Sequence, residues 1–171
     1  MPTDTLYGLV ASALSPEAVG RVYVLKNRSL QKPFIILISS FADLKTFEIV
    51  LEEETLKKLQ KIWPGKVSFI LPCSDEKFSY LHRGTKSLAF RIPDKSDLRE
   101  LLKTAGPLIA PSANIEGNPP AQTIAEARNY FGGKIDFYID GGELLGEPST
   151  IIKFEAGGIK IVRPGGQKLE T

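Results

Sequence analysis

Four polar segments interrupt the apolar runs of this chain, and their residue types suit the handling of anions. Lys26-Asn27-Arg28-Ser29-Leu30-Gln31-Lys32-Pro33 sets three cations within seven residues. Arginine offers a planar fork that matches phosphate or carboxylate, and lysine a point charge. Cations are also favoured at a helix C-terminus by the helix dipole, so the cluster has a purely structural reading too. Pro2-Thr3-Asp4-Thr5-Leu6-Tyr7-Gly8-Leu9 places two hydroxyls and a carboxylate beside an apolar stretch. Such hydroxyls can both donate to and accept from a polar ligand; an ordinary capped turn is the alternative. Pro111-Ser112-Ala113-Asn114 follows a short apolar run, and ligands of open α/β sheets gather where strands end. Ser112 and Asn114 flank Ala113, so both side chains can point the same way. Ser149-Thr150 precedes one apolar run and Arg163-Pro164-Gly165-Gly166 closes another, so these two strand ends could meet.

Other chemistries lack their residues. The chain has one cysteine, Cys73, and one histidine, His82. No intrachain disulfide is possible, and a His/Cys zinc site cannot be assembled. Cys73 reads as a small buried or semi-buried side chain. His82, in Tyr80-Leu81-His82-Arg83-Gly84, reads as a solvated loop residue, and no G-x-S-x-G elbow accompanies it. There is no Walker A sequence and no G-x-G-x-x-G. Any nucleotide must therefore be held by the cations and hydroxyls above. The net charge of +2, from 22 basic and 20 acidic residues, gives no global pull on nucleic acid, so basic function must be local. No apolar run has membrane-span length, and the opening residues lack a signal-peptide pattern. A cytoplasmic protein is expected.

The elements that must position these groups can be read from caps and periodicity. Ser15-Pro16-Glu17 predicts a helix start, with an N-cap, proline at the first position and an early acid. That helix should end near Lys26-Asn27-Arg28. Leu6–Leu14 reads as a buried turn. Pro33–Ile38 predicts a strand buried on both faces. Ser39–Asp43 resembles a helix entry, and Thr55–Trp63 a helix stopped by Pro64-Gly65. Strands are predicted at Val67–Leu71, Ser87–Ile92, Pro107–Ala110, Ile135–Ile139, Thr150–Phe154 and Ile159–Val162. Helices are predicted from Asp94–Asp97 to Lys103 and over Thr123–Tyr130. The fold class is α/β (α+β): one domain over residues 1–171, a twisted mixed sheet flanked by helices.

Taken in order, these segments resemble the YrdC-type threonylcarbamoyl-AMP synthase family. The resemblance runs from Pro2 to about Gly165. It rests on Pro2-Thr3-Asp4-Thr5-Leu6-Tyr7-Gly8-Leu9, Lys26-x-Arg28 with Lys32-Pro33, Trp63-Pro64-Gly65 and Arg91-Ile92-Pro93-Asp94. Ser112-Ala113-Asn114-x-x-Gly117, Asp140-Gly141-Gly142, Ser149-Thr150-Ile151-Ile152 and Arg163-Pro164-Gly165 complete it. It implies a concave basic cavity and an enzyme, a nucleotidyltransferase that joins L-threonine, bicarbonate or CO2, and ATP with Mg2+. The products would be threonylcarbamoyl-AMP and pyrophosphate, passed to partner proteins that modify tRNA. By the same resemblance Lys26 and Arg28 would be catalytic, facing the ATP phosphates. Thr5, Arg91, Ser112 and Ser149 would bind threonine, and Arg28, Lys32, Asn114 and Arg163 would bind ATP. Leu37 stands where longer members often carry a threonine-binding histidine. Only Met1 precedes the Pro-Thr-Asp-Thr motif, where the family usually has a helix and a strand. Nothing like the C-terminal domain of the long forms follows Arg163, so a short, single-domain form is expected. A non-catalytic YciO-like paralogue that binds nucleotide or RNA is the alternative.

Overall fold

Ser15 opens the first helix by accepting the Ala18 N–H in its side chain, with Pro16 at the first helical position. The computed structural model describes residues 1–155 and 158–169. Helix α1 (Pro16–Lys26) ends at Asn27, whose φ of 49° is left-handed and whose neighbour Arg28 donates its N–H to Tyr23 O. This closure satisfies the last carbonyls and turns the chain sharply. Val19, Val22, Tyr23 and Lys26 are the buried residues of α1. Their i, i+3, i+4, i+7 spacing makes one stripe, so Lys26 is carried inward with the apolar face.

The remaining elements are β1 (Ala11–Ser12), β2 (Ile35–Leu37), a 3-10 segment (Phe41–Phe47), α2 (Glu53–Gln60), β3 (Val67–Pro72) and a 3-10 turn (Glu76–Phe78). These lead to α3 (Ser79–His82), β4 (Ser87–Arg91), α4 (Ser96–Ala105), β5 (Leu108–Ile109), α5 (Ile124–Phe131), a 3-10 turn (Gly132–Lys134), β6 (Thr150–Glu155) and β7 (Gly158–Arg163). The seven strands form one sheet in the order β1-β5-β2-β4-β3-β6-β7. The pairs β2/β4 and β3/β6 are parallel and the others antiparallel. The mixed sheet flanked by helices is as expected.

Strand alternation separates the core from the site. Ile36, Phe90, Phe69 and Ile152 are register partners across β2, β4, β3 and β6, and all are at most 1% exposed. They anchor the main core, where Phe47 packs on Phe90 and Phe78. Burying each such side chain contributes about 1.5–3 kcal/mol. The neighbouring row on the opposite face contains Leu37, Arg91, Ser68 and Ile151, because side chains alternate along a strand. Leu37 joins Leu98, Leu102 and Leu108 in a second apolar cluster. Both faces of β2 are thus covered.

Four sequence expectations need correction. Leu6–Leu14 is not only a turn, since Ala11–Ser12 pairs with β5 as the edge strand. Ile135–Ile139 is not a strand. Ile135 and Tyr138 pack on the core, Phe137 stays 71% exposed, and the segment is tied back by Tyr138 Oη to Gly132 O and by Asp136 to Arg21. The apolar alternation is real but serves one-sided packing beside α1 rather than a ladder. The residues Ser79–His82 form a short helix, not a loop. His82 is therefore 1% exposed, not solvated, and its Nδ1 accepts the Gly84 N–H. Cys73 is buried, as expected.

Candidate functional site

A cavity of about 260 Å³ is lined by Thr5, Arg28, Arg91, Ser112, Ser149 and Arg163, together with apolar residues such as Phe34 and Ile151. Six of the nine site residues inferred from the sequence thus converge, although they span positions 5 to 163. Lys26, Lys32 and Asn114 do not line the cavity.

The floor begins with the N-terminal motif. Thr3, 4% exposed, accepts the N–H groups of Thr5 and Leu6 in its hydroxyl and donates to Leu6 O at 2.7 Å. These bonds fix the turn that presents Thr5. Tyr7 is wholly buried; its hydroxyl donates to Gly142 O at 2.7 Å and accepts the Gly141 N–H at 2.9 Å. Residues 140–148 are thereby pinned across the motif. Gly146 presses so closely that a Cβ there would lie 1.7 Å from Thr5 O. Gly146→Ala must therefore push the Thr5 backbone aside. The expected cost is about 1–3 kcal/mol in urea denaturation, as for other overpacked positions. An unchanged midpoint would mean that the strap does not press on Thr5.

Arg91 ends β4, and its Nη1 lies 2.9 and 3.0 Å from the two carboxylate oxygens of Asp4. Both side chains are at most 4% exposed. Burial lowers the Arg91 pKa, Asp4 opposes that, and Arg163 adds a smaller lowering push. Burial also lowers the Arg163 pKa, with Arg28 as the second cause. The guanidinium groups thus feel one another's charge across the cavity, and no carboxylate among the described residues lines it.

Ser149 sits where β6 begins. Its Oγ lies 2.9 Å from that of fully buried Ser68, and Arg163 Nη2 donates to Ser149 O at 2.7 Å. Gly165 makes this possible, since a Cβ on it would lie 2.2 Å from Pro148 O. The Arg163-Pro164-Gly165 motif thus locks the Ser149 backbone.

The opposite wall is built from the α1 terminus and the loop after β5. Lys26 Nζ donates to Ser112 O at 2.5 Å, Asn114 O at 2.6 Å and Asn114 Oδ1 at 3.2 Å. Asn114 Oδ1 also accepts the Ser112 hydroxyl at 2.6 Å, and Nδ2 donates to the Ile115 and Asn118 carbonyls. Lys26 and Asn114 therefore hold the loop, and Ser112 alone of the three faces the cavity. Burial, then the nearby Arg28 charge, pushes the Lys26 pKa from 10.5 down to about 8, with Glu116 opposing. Arg28 stacks over Phe34 at 5.2 Å and donates from Nε to Lys32 O at 3.1 Å. Lys32 turns outward and pairs with Glu116 at 2.5 Å.

Sequence reasoning missed Tyr7, Ser68 and Glu116, and gave Asp4 no role beyond its place in the N-terminal motif. Ser68 is the lone hydroxyl in an otherwise apolar strand. Tyr7 and Glu116 act through partners up to 135 residues away, and no local signal marks them.

This geometry defines a mixed α/β protein with an arginine- and hydroxyl-lined cavity on one sheet face. The chain belongs to the Sua5/YciO/YrdC family, whose model, described as "Telomere recombination", matches residues 1–165. It is 36% identical to a threonylcarbamoyl-AMP synthase of Pyrococcus abyssi, covering 99% of this chain and 50% of that protein. It is 31% identical to a Pseudomonas fluorescens protein of the same name, covering 95% and 88% respectively. The structure of P. abyssi Sua5 complexed with L-threonine superposes with a TM-score of 0.84 at 35% identity, covering 96% of this chain and 49% of that one. The chain thus spans about half the length of the archaeal relative.

Proposed function

We propose that this protein makes threonylcarbamoyl-AMP from L-threonine, bicarbonate or CO2, and ATP, releasing pyrophosphate. The convergence of Arg28, Arg91 and Arg163 with the Thr5, Ser112 and Ser149 hydroxyls in one cavity carries this reading. The name of the relatives and the threonine bound to P. abyssi Sua5 support it.

The threonine amine first adds to CO2 with loss of a proton, or condenses with bicarbonate with loss of water, giving a carbamate. A carbamate oxygen then attacks the α-phosphorus, and the bond to the pyrophosphate oxygen breaks. Both reactants are anions, so the task is charge neutralisation and alignment, which needs no protein nucleophile. In this scheme Arg91, aimed by Asp4, takes the threonine carboxylate, while Thr5 and Ser149 hold its polar groups. Arg28 meets the charge that develops on the phosphates, Arg163 reaches the nucleotide, and Ser112 lines the boundary between them. Lys26 and Asn114 keep Ser112 in place, and Lys32 lies on the outer phosphate side. Magnesium enters as part of MgATP. The cavity lining offers hydroxyls and no carboxylate, and no cluster of three His, Cys, Asp or Glu occurs among the described residues. The ion would be held by the phosphate oxygens of the nucleotide.

The product would pass to tRNA-modifying transferases in the cytoplasm. No helix among the described residues is long and apolar enough to cross a membrane. The direct test is pyrophosphate release with each amino acid in turn. Release that requires both threonine and bicarbonate is expected; release independent of threonine overturns the assignment.

The buried ammonium gives a pH signature. As pH rises through about 8, Lys26 loses the proton that lets it serve all three acceptors. The unfolded chain keeps that proton to about 10.5. Between these values it binds more protons than the native state, so this group's contribution to stability rises with pH. Activity should therefore fall on an alkaline limb near pH 8, with no parallel fall in melting temperature from this lysine. A rate that stays flat to pH 9.5 would remove Lys26 from the account.

A further inference from the structure

Glu116 makes the contacts a phosphate would make. Its Oε1 lies 2.5 Å from Lys32 Nζ, and its Oε2 accepts the Ser29 N–H at 2.8 Å. Its own N–H donates to Lys26 O at 2.8 Å, so the carboxylate is delivered from the loop that carries Ser112. Lys32, the Ser29 N–H and Arg28 hold its carboxyl below the usual range. A cation, a main-chain N–H and a nearby guanidinium are also the donors that bind phosphate oxygens. They stand on the segment Arg28–Pro33, two of whose residues, Arg28 and Pro33, line the cavity.

We propose that Glu116 is an internal counter-anion: it occupies the Lys32 and Ser29 donors in the empty protein and must be displaced by the terminal phosphates of the nucleotide. The inference rests on the reading of the cavity as a nucleotide site and adds a residue that sets polyphosphate affinity. The exchange breaks no covalent bond. The carboxylate swings off Lys32 and the Ser29 N–H as phosphate oxygens take its place, and it returns when they leave. Its negative charge opposes a bound triphosphate or pyrophosphate, so it weakens binding and speeds the loss of pyrophosphate. A ligand without β- and γ-phosphates does not reach these donors and is indifferent to Glu116.

The test is titration calorimetry of pyrophosphate and of AMP on the wild-type protein, Glu116→Gln and Lys32→Gln. Glu116→Gln keeps the shape and removes the charge. It should tighten pyrophosphate binding roughly two- to fivefold, the scale of a partly exposed ion pair, and leave AMP unchanged. Lys32→Gln should weaken pyrophosphate and again spare AMP. Pyrophosphate binding that weakens in Glu116→Gln would make Glu116 a simple loop clamp and overturn the proposal. An equal change for AMP, or no pyrophosphate binding by any of the three proteins, would overturn it as well. The synthase assignment is decided separately, by threonine-dependent turnover.

Discussion

Arg28→Ala is expected to lower threonine- and bicarbonate-dependent pyrophosphate release by about a thousandfold, the scale of losing a donor aimed at transition-state charge. Arg28 is the only side chain of the Lys26–Lys32 cluster that lines the cavity, so no neighbour can replace its fork. The loss should fall mainly on kcat, because the interaction strengthens as charge moves onto the leaving pyrophosphate. The fold should survive. Arg28 contributes a stack on Phe34 and bonds to two loop carbonyls, each worth about 0.5–1 kcal/mol. Arg28→Lys restores the charge but not the planar geometry, so partial recovery is expected. Near-normal turnover of Arg28→Ala in a steady-state assay would sink its assignment.

Asp4→Ala is expected to destabilise the protein by about 3–5 kcal/mol, because it strands the Arg91 charge in a buried setting. The two side chains are 3% and 4% exposed, so water cannot easily substitute for the carboxylate. Asp4→Asn keeps an acceptor for Nη1 and should cost less. The proposed role of Arg91 adds a second readout: threonine should partly restore stability to Asp4→Ala, because its carboxylate supplies the missing anion. Urea denaturation with and without threonine checks both statements. A loss under about 1 kcal/mol would mean that the pair is solvated and interchangeable with a surface pair.

Local signals carried the helices well. Ser15, Pro16 and Asn27 are strong punctuation, and they set α1 within a residue of its reading. The burial of Lys26 was also legible, because it falls on the Val19, Val22, Tyr23 stripe; the cationic cluster around it drew the reading toward solvent and ligand instead. Ile135–Ile139 shows the opposite failure. Its apolar residues satisfied a strand pattern, but Ile135 and Tyr138 pack on the core without entering the sheet, and pattern alone cannot reveal that. His82 failed for a similar reason, since polar neighbours suggested exposure while a single helical turn drew the ring inward. The site's lining was legible as residue types at strand ends. Its support was not: the Asp4–Arg91 pair, the Tyr7 hydroxyl under Gly142 and the Ser68–Ser149 contact each join positions at least 81 residues apart. Sheet order decides those meetings, and sheet order is a property of the whole chain.

Synthesis of threonylcarbamoyl-AMP is tested most directly by following carbon from labelled bicarbonate. The purified protein would be incubated with ATP, magnesium and radioactive bicarbonate, with and without L-threonine, and the nucleotides separated rapidly. A labelled species that contains AMP is expected, formed only when threonine is present and matched by one pyrophosphate. Pyrophosphate or AMP formed without label in any nucleotide, or label that appears without threonine, would contradict it.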